Sequence, residues 1–221
     1  MIQPERLLDL FMTITGINSY YPGEDEVAAV LSQRLERIGM EMVSDEHRNL
    51  LGYWPGTGAL ADHDPILLCA HMDTVISTEG MKPVIRDGVV HTDGSSVLGA
   101  DDKAAVAAIV EAAETVADGQ LPHLPIEVLF TVGEDVGHIG SKATRELPRM
   151  FPGCEIVMID NLLTQRYFSL FNLPEGGNYQ FHEADILTTD LKPIFNGANV
   201  ALHFAAITDA TNSFQNREKV E

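Results

Sequence analysis

The stretch Ile66-Leu67-Leu68-Cys69-Ala70-His71-Met72-Asp73 decides how this chain is read. Five apolar residues in a row, introduced by Pro65, are too short a run for a helix. They lack the alternation of a half-exposed strand, so residues 66–70 are expected to form a strand buried on both faces. Two more runs, Ile126 to Val132 and Glu155 to Ile159, have the same texture. Between the first two lies Asp102 to Ala117, rich in alanine, with Val106, Ile109, Val110 and Ala113 on one helical stripe. Another helix is expected near Lys142 to Leu147. Strands alternating with helices predict an α/β fold with a mostly parallel central sheet flanked by helices.

Outward from this centre the pattern continues. Leu7, Leu8, Phe11 and Ile14 share one helical face, and Val27, Val30, Leu31, Leu35 and Ile38 share another after Gly23, Glu24 and Asp25. Residues 41–54 read as extended, and residues 55–65 as a turn-rich loop. The stretch 84–98 carries β-branched residues cut by Asp-Gly at 87/88 and 93/94, which predicts a hairpin-like excursion. From residue 161 the texture changes: Gly176, Gly177 and Gly197 interrupt short apolar runs, and only Val200 to Phe204 reads as a strand. A core of residues 1–160 and a remainder of residues 161–221 follow.

Composition narrows the function. The 221 residues carry 14 Lys+Arg against 33 Asp+Glu, a net charge of −19. Such a balance argues against nucleic acid or an anionic membrane as partner, because affinity for phosphate grows with the cations presented. Apolar residues make up 45% and charged ones 21%, enough to build a core and far from the disordered regime. No apolar run approaches the roughly 18 residues of a membrane span, and the opening MIQPERLLDLF has no apolar signal region, so a cytoplasmic location is expected. Cys69 and Cys154, far apart in apolar runs, suit buried thiols better than a disulfide.

Each buried-strand candidate ends on a side chain that can bind a metal: His71 after Ala70, Glu134 and Asp135 after Val132 and Gly133, Asp160 after Ile159. Ligand sites in open α/β sheets lie beyond the carboxyl ends of the strands, so these ends can share one crevice. Asp101 sits directly before the alanine-rich helix, where a carboxylate also serves as an ordinary cap. In His71-Met72-Asp73 the Asp two residues on can accept the other imidazole N–H and fix its tautomer, the usual support of a metal-bound histidine. Glu134 and Asp135 are adjacent carboxylates, which repel unless a cation or a proton relay is near. Singly, each residue has a plain structural reading; together they describe a site.

Three motifs carry a resemblance: His71-Met72-Asp73-Thr74-Val75, Asp93 through Ala104, and Phe130-Thr131-Val132-Gly133-Glu134-Asp135-Val136-Gly137. In that order they resemble the peptidase T branch of the co-catalytic zinc exopeptidases, relatives of acetylornithine deacetylase and succinyl-diaminopimelate desuccinylase. The resemblance runs from the N-terminus to about Asp160. It implies a zinc exopeptidase-like catalytic domain with two zinc ions. His71, Asp101 and Asp160 would hold one, and Asp101 would bridge to a second held by Asp135 and a C-terminal histidine. It further implies that Asp73 orients His71, that Glu134 is the general base, and that the Asp101-Asp102 peptide bond is cis. Zinc chemistry is consistent with those roles, since a bridging carboxylate offsets the repulsion of two cations and a carboxylate outside the coordination shell can take a proton from water.

The chain departs from that pattern in three places. Asp135 stands where the family usually has a second Glu. The lid or dimerisation domain is not recognisable in residues 161–221, which read as a divergent or shortened remainder of the catalytic domain. Ile207-Thr208-Asp209-Ala210-Thr211-Asn212 resembles the family's last motif, but no histidine follows it, leaving His182 and His203 as the late candidates. The expected function is a metal-dependent aminopeptidase or tripeptidase acting on short peptides, weak in this chain, with at least one zinc bound. The missing histidine and lid favour the alternative of a catalytically impaired metal-binding or interaction domain, the same motifs permit a deacylase of N-acyl amino acids, and a homo-oligomer is a further expected partner state.

Overall fold

In the computed structural model of the chain, the described residues are 1–137, 139–140, 155–162, 173, 177–186, 188–196 and 198. Two amphipathic helices open the fold. In α1 (Pro4–Thr15), Pro4 occupies the first turn, where its missing N–H costs nothing, and Leu10 and Ile14 point inward. In α2 (Asp25–Arg37), Val27, Leu31 and Leu35 bury one stripe, with acids in the first turn and arginines in the last.

The main sheet has the order β1-β2-β6-β3. Its strands are β1 (Glu41–Ser44), β2 (Leu50–Trp54), β3 (Ile66–His71) and β6 (Ile126–Thr131). The hairpin β4 (Pro83–Arg86) and β5 (Val89–Thr92) turns at Asp87 and Gly88, both at positive φ, as the Asp-Gly signal requires. The 19-residue helix α3 (Ala100–Asp118) joins β3 to β6 through this excursion. A separate parallel pair, β7 (Glu155–Asp160) and β8 (Asn178–Glu183), and one helical turn at Lys192–Phe195 complete the described elements.

The α/β class is as expected, and the sheet differs from the expectation in being mixed. β3 and β6 pair in parallel across α3, the expected crossover. β1 and β2, too closely joined to cross over, pair antiparallel, and β2 pairs antiparallel with β6. The helix expected near residues 142–147, the strand at 200–204 and Cys154 lie outside the described residues.

The core lies between the three helices and the sheet. Val106, Ala107 and Val110 of α3 pack with Leu10, Ile14, Leu31 and Leu35 and with Val128 and Phe130 of β6. Each fully buried aliphatic or aromatic side chain contributes about 1.5–3 kcal/mol. An ion-pair cluster ties the helices together: Arg6 of α1 meets Glu111 and Glu114 of α3, and Arg34 of α2 meets Glu114.

Candidate metal centre

The parallel register places His71 opposite Thr131, so β3 and β6 deliver their carboxyl ends to the same edge of the sheet. The Met72 N–H donates to the Thr131 carbonyl at 2.9 Å, keeping the two exits together. Asp73 follows, fully buried. Its Oδ1 and Oδ2 accept the backbone N–H groups of Glu134 and Asp135 at 2.9 and 3.0 Å, joining the loop after β3 to the turn after β6. One ligand atom each from His71, Asp73 and Asp135 lies within 4.8 Å of the others.

The His71 imidazole is nearly enclosed. Nδ1 faces Asp73 Oδ1 at 3.3 Å, and Nε2 faces Asp101 Oδ1 at 3.4 Å. The buried Nδ1 forms no hydrogen bond of good geometry. Asp101 reaches the imidazole from the head of α3, where the backbone leaves helical geometry at Asp101 and Asp102 and the peptide bond between them is cis, in keeping with the resemblance. Asp102 Oδ2 accepts the backbone N–H of His71 at 3.4 Å. Behind it Lys103 is fully buried and donates Nζ to the Ile17 carbonyl at 2.8 Å.

Electrostatics in this pocket are set by burial and by the carboxylates gathered there. Burial disfavours the His71 imidazolium, yet the facing carboxylates of Asp101 and Asp73 prevail and hold its pKa up at about 10. Burial also works against the Asp73 carboxylate, but His71 and the two backbone N–H groups outweigh it and lower its pKa. Asp135 is pushed up to about 6 by burial, and by the neighbouring Asp73, Glu134 and Asp101 against the pull of His71. Asp102 is raised, first by burial. Desolvation lowers Lys103 to about 8.

These residues suit a zinc ion. An imidazole nitrogen ringed by carboxylate oxygens is a donor set zinc takes. The distances to both His71 nitrogens exceed the usual N–H···O range of about 2.7–3.2 Å. Two ligands about 2.0–2.1 Å from one tetrahedral zinc stand about 3.4 Å apart, which is the separation of His71 Nε2 from Asp101 Oδ1.

Five of the six residues singled out from the sequence are thus linked by these contacts: His71, Asp73, Asp101, Glu134 and Asp135. Asp160 is not among them. It ends β7, exposed, with its carboxylate accepting the Leu162 N–H, and no strand pairing joins β7 to the main sheet among the described residues. His182 lies on β8 opposite Ile159, while His203 and residues 207–212 fall outside the described residues. Sequence reasoning missed Asp102, Lys103 and Glu24, whose Oε1 accepts the Gly133 N–H at 3.0 Å. The only available signal was position, beside Asp101 for the first two and ahead of α2 for the third.

Comparison with known proteins adds to this geometry. The signature of peptidase family M28 matches residues 49–209, well over half of the chain. The chain belongs to peptidase family M28. It is 49% identical over 145 residues to peptidase T of an Exiguobacterium species, covering 63% of this chain and 34% of that protein. The crystal structure of aminopeptidase PepT from Bacillus cereus aligns with a TM-score of 0.61 and 37% identity, covering 66% of this chain and 41% of that one. A tripeptidase from Staphylococcus aureus aligns at 0.60 and 33%, covering 64% and 40%. The chain therefore spans about two fifths or less of the length of these relatives. Among the described residues, no helix is long and apolar enough to cross a membrane.

Proposed function

We propose that this chain carries the catalytic centre of a zinc-dependent exopeptidase of the aminopeptidase or tripeptidase kind, acting on short peptides in the cytoplasm. The observation that carries the reading is the enclosure of His71 between Asp73 and Asp101, beside the turn that presents Glu134 and Asp135. The relatives named peptidase T, aminopeptidase and tripeptidase support it.

In this reading His71 and Asp101 would hold one zinc and Asp101 and Asp135 a second, with Asp160 and a late histidine, which the contacts of the described residues do not bring to His71, as the further ligands that the resemblance implies. Bound there, zinc supplies Lewis acidity, making a water more acidic and polarising the scissile carbonyl. Asp73 does two things: it faces His71 Nδ1 at 3.3 Å, where its carboxylate would favour the tautomer that leaves Nε2 as a ligand, and it anchors the amides of Glu134 and Asp135. Glu134, partly exposed on that anchored turn, takes the proton from the attacking water and delivers it to the departing amine. Residues 1–160 form the core of this catalytic domain and residues 161–221 its remainder.

The test is hydrolysis of di- and tripeptides beginning with Ala or Leu, in the presence of zinc and after chelation. Chelator-sensitive release of the first residue is the expected result. Cleavage of N-acyl amino acids in preference to peptides would assign a deacylase instead, and zinc binding without turnover would leave a metal-binding domain.

A further inference from the structure

Glu24 is a buried carboxylate for which neither α2 nor the core has a use. It is 1% exposed at the head of α2, and its side chain caps no N–H of that helix. Its Oε1 accepts the N–H of Gly133, 109 positions away, at 3.0 Å, and its Oε2 is buried with no hydrogen-bond partner. Burying a carboxylate with one oxygen unpartnered is costly, so its long-range bond to Gly133 demands an explanation.

That bond falls on the residue next to Glu134. Gly133 has φ +58°, and a Cβ there would come within 2.8 Å of Tyr21 Cδ2 and 3.1 Å of Ile139 Cβ. Its amide is the first of three consecutive N–H groups that all donate to buried carboxylates: Gly133 to Glu24, Glu134 and Asp135 to Asp73. Behind them the turn is closed by the N–H groups of Gly137, Ile139 and Gly140 on the carbonyls of Glu134, Gly133 and Val132. Asp73 enters this arrangement with a second duty, since it also faces His71. Glu24 reaches the same turn from a different element, the head of α2. Two carboxylates from separate parts of the chain thus fix three successive peptide planes, which sets the direction in which the Glu134 side chain leaves the backbone.

We propose that Glu24 is a positioning residue, holding the Gly133 amide so that the turn bearing Glu134 and Asp135 keeps one orientation toward His71. The proposal deepens the peptidase reading and rests on it for its catalytic consequence, whereas the structural coupling stands without it.

The test compares the full chain with Glu24→Asp and Glu24→Gln. Asp keeps the charge but withdraws the acceptor by one methylene; Gln keeps the length and an oxygen that accepts the Gly133 N–H. Amide hydrogen exchange is followed by NMR for residues 133–135, with α3 and β3 as internal references. Exchange at 133–135 is expected to rise about tenfold or more in Glu24→Asp, with α3 and β3 unchanged, and to stay within about twofold of wild type in Glu24→Gln. Peptide kcat is expected to fall about tenfold in Glu24→Asp with KM within about twofold, and to be restored in Glu24→Gln. Wild-type protection at 133–135 in Glu24→Asp, or a rise spread evenly over the sheet and α3 in either variant, would overturn the proposal. A wild-type chain without peptide turnover would refute the peptidase reading, and the exchange measurement would still decide the role of Glu24.

Discussion

Replacing Asp73 by Asn probes the joint on which the centre is assembled. Asp73 is fully buried and accepts two backbone N–H bonds, at 2.9 and 3.0 Å, while facing His71 Nδ1. Asn offers one oxygen and one NH2, so one of the Glu134 and Asp135 amides loses its acceptor and meets a donor instead. A hydrogen bond to a charged group contributes about 1.5–3 kcal/mol, and an orphaned buried donor costs about 1–3 kcal/mol. These overlap, giving an expected loss of about 2–4 kcal/mol for Asp73→Asn. For Asp73→Ala, which strips both amides, the expectation is about 3–5 kcal/mol. At about 2–4 °C per kcal/mol for a chain of this size, Asp73→Asn should lower Tm by about 5–15 °C. The assay is equilibrium urea unfolding at neutral pH with a chelator present, so that metal binding does not enter the difference. Zinc affinity measured in parallel should fall about 10- to 100-fold, the usual effect of removing a histidine's supporting carboxylate. An Asp73→Asn chain within about 0.5 kcal/mol of wild type would show that Asp73 is no such joint, because that is the range of ordinary surface substitutions.

Two further outcomes follow from other parts of the fold. Glu111 accepts from Arg6 at 2.7 Å and from the Gln3 N–H at 2.7 Å, and the Arg6 bond leads in pulling its pKa down to about 2. Because the folded value lies below the unfolded one near 4.3, its stabilisation is complete above that pH and is lost as pH falls toward about 2. Glu111→Gln should cost about 1.5–3 kcal/mol at pH 7, with the gap to wild type closing between about pH 4.3 and 2 in pH-resolved urea melts. Removing metal should lower Tm: zinc at about 100 times its Kd adds about 2.7 kcal/mol, so a scan with and without chelator should differ by about 5–10 °C. Coincident scans would count against a metal in this pocket.

What was legible in the sequence was what short-range pattern encodes. The apolar run at Ile66–His71, the stripe of Val106 and Val110 and the Asp-Gly turn at 87/88 each declare an element through local periodicity or backbone preference. The site was legible for a related reason: strand ends converge at one sheet edge, so the strand pattern alone groups His71, Glu134 and Asp135. The antiparallel arms were not legible, because residues 41–54 announce extension without saying which neighbour they pair with. Glu24 was not legible either: before a helix it reads as a start signal, and its bond to Gly133 spans 109 positions. Asp102 was hidden by helical periodicity, since the backbone departs from helix where the pattern says it should begin.

Everything proposed for this pocket turns on Glu134 serving as the base of a zinc-dependent hydrolysis. That role is tested most directly by assaying Glu134→Gln and wild type for bound zinc and peptide turnover on the same samples. Equal zinc content is expected in both, with turnover in Glu134→Gln lower by about 10² to 10⁴, the usual contribution of a general base. Equal turnover in the two chains at equal zinc content would contradict that role.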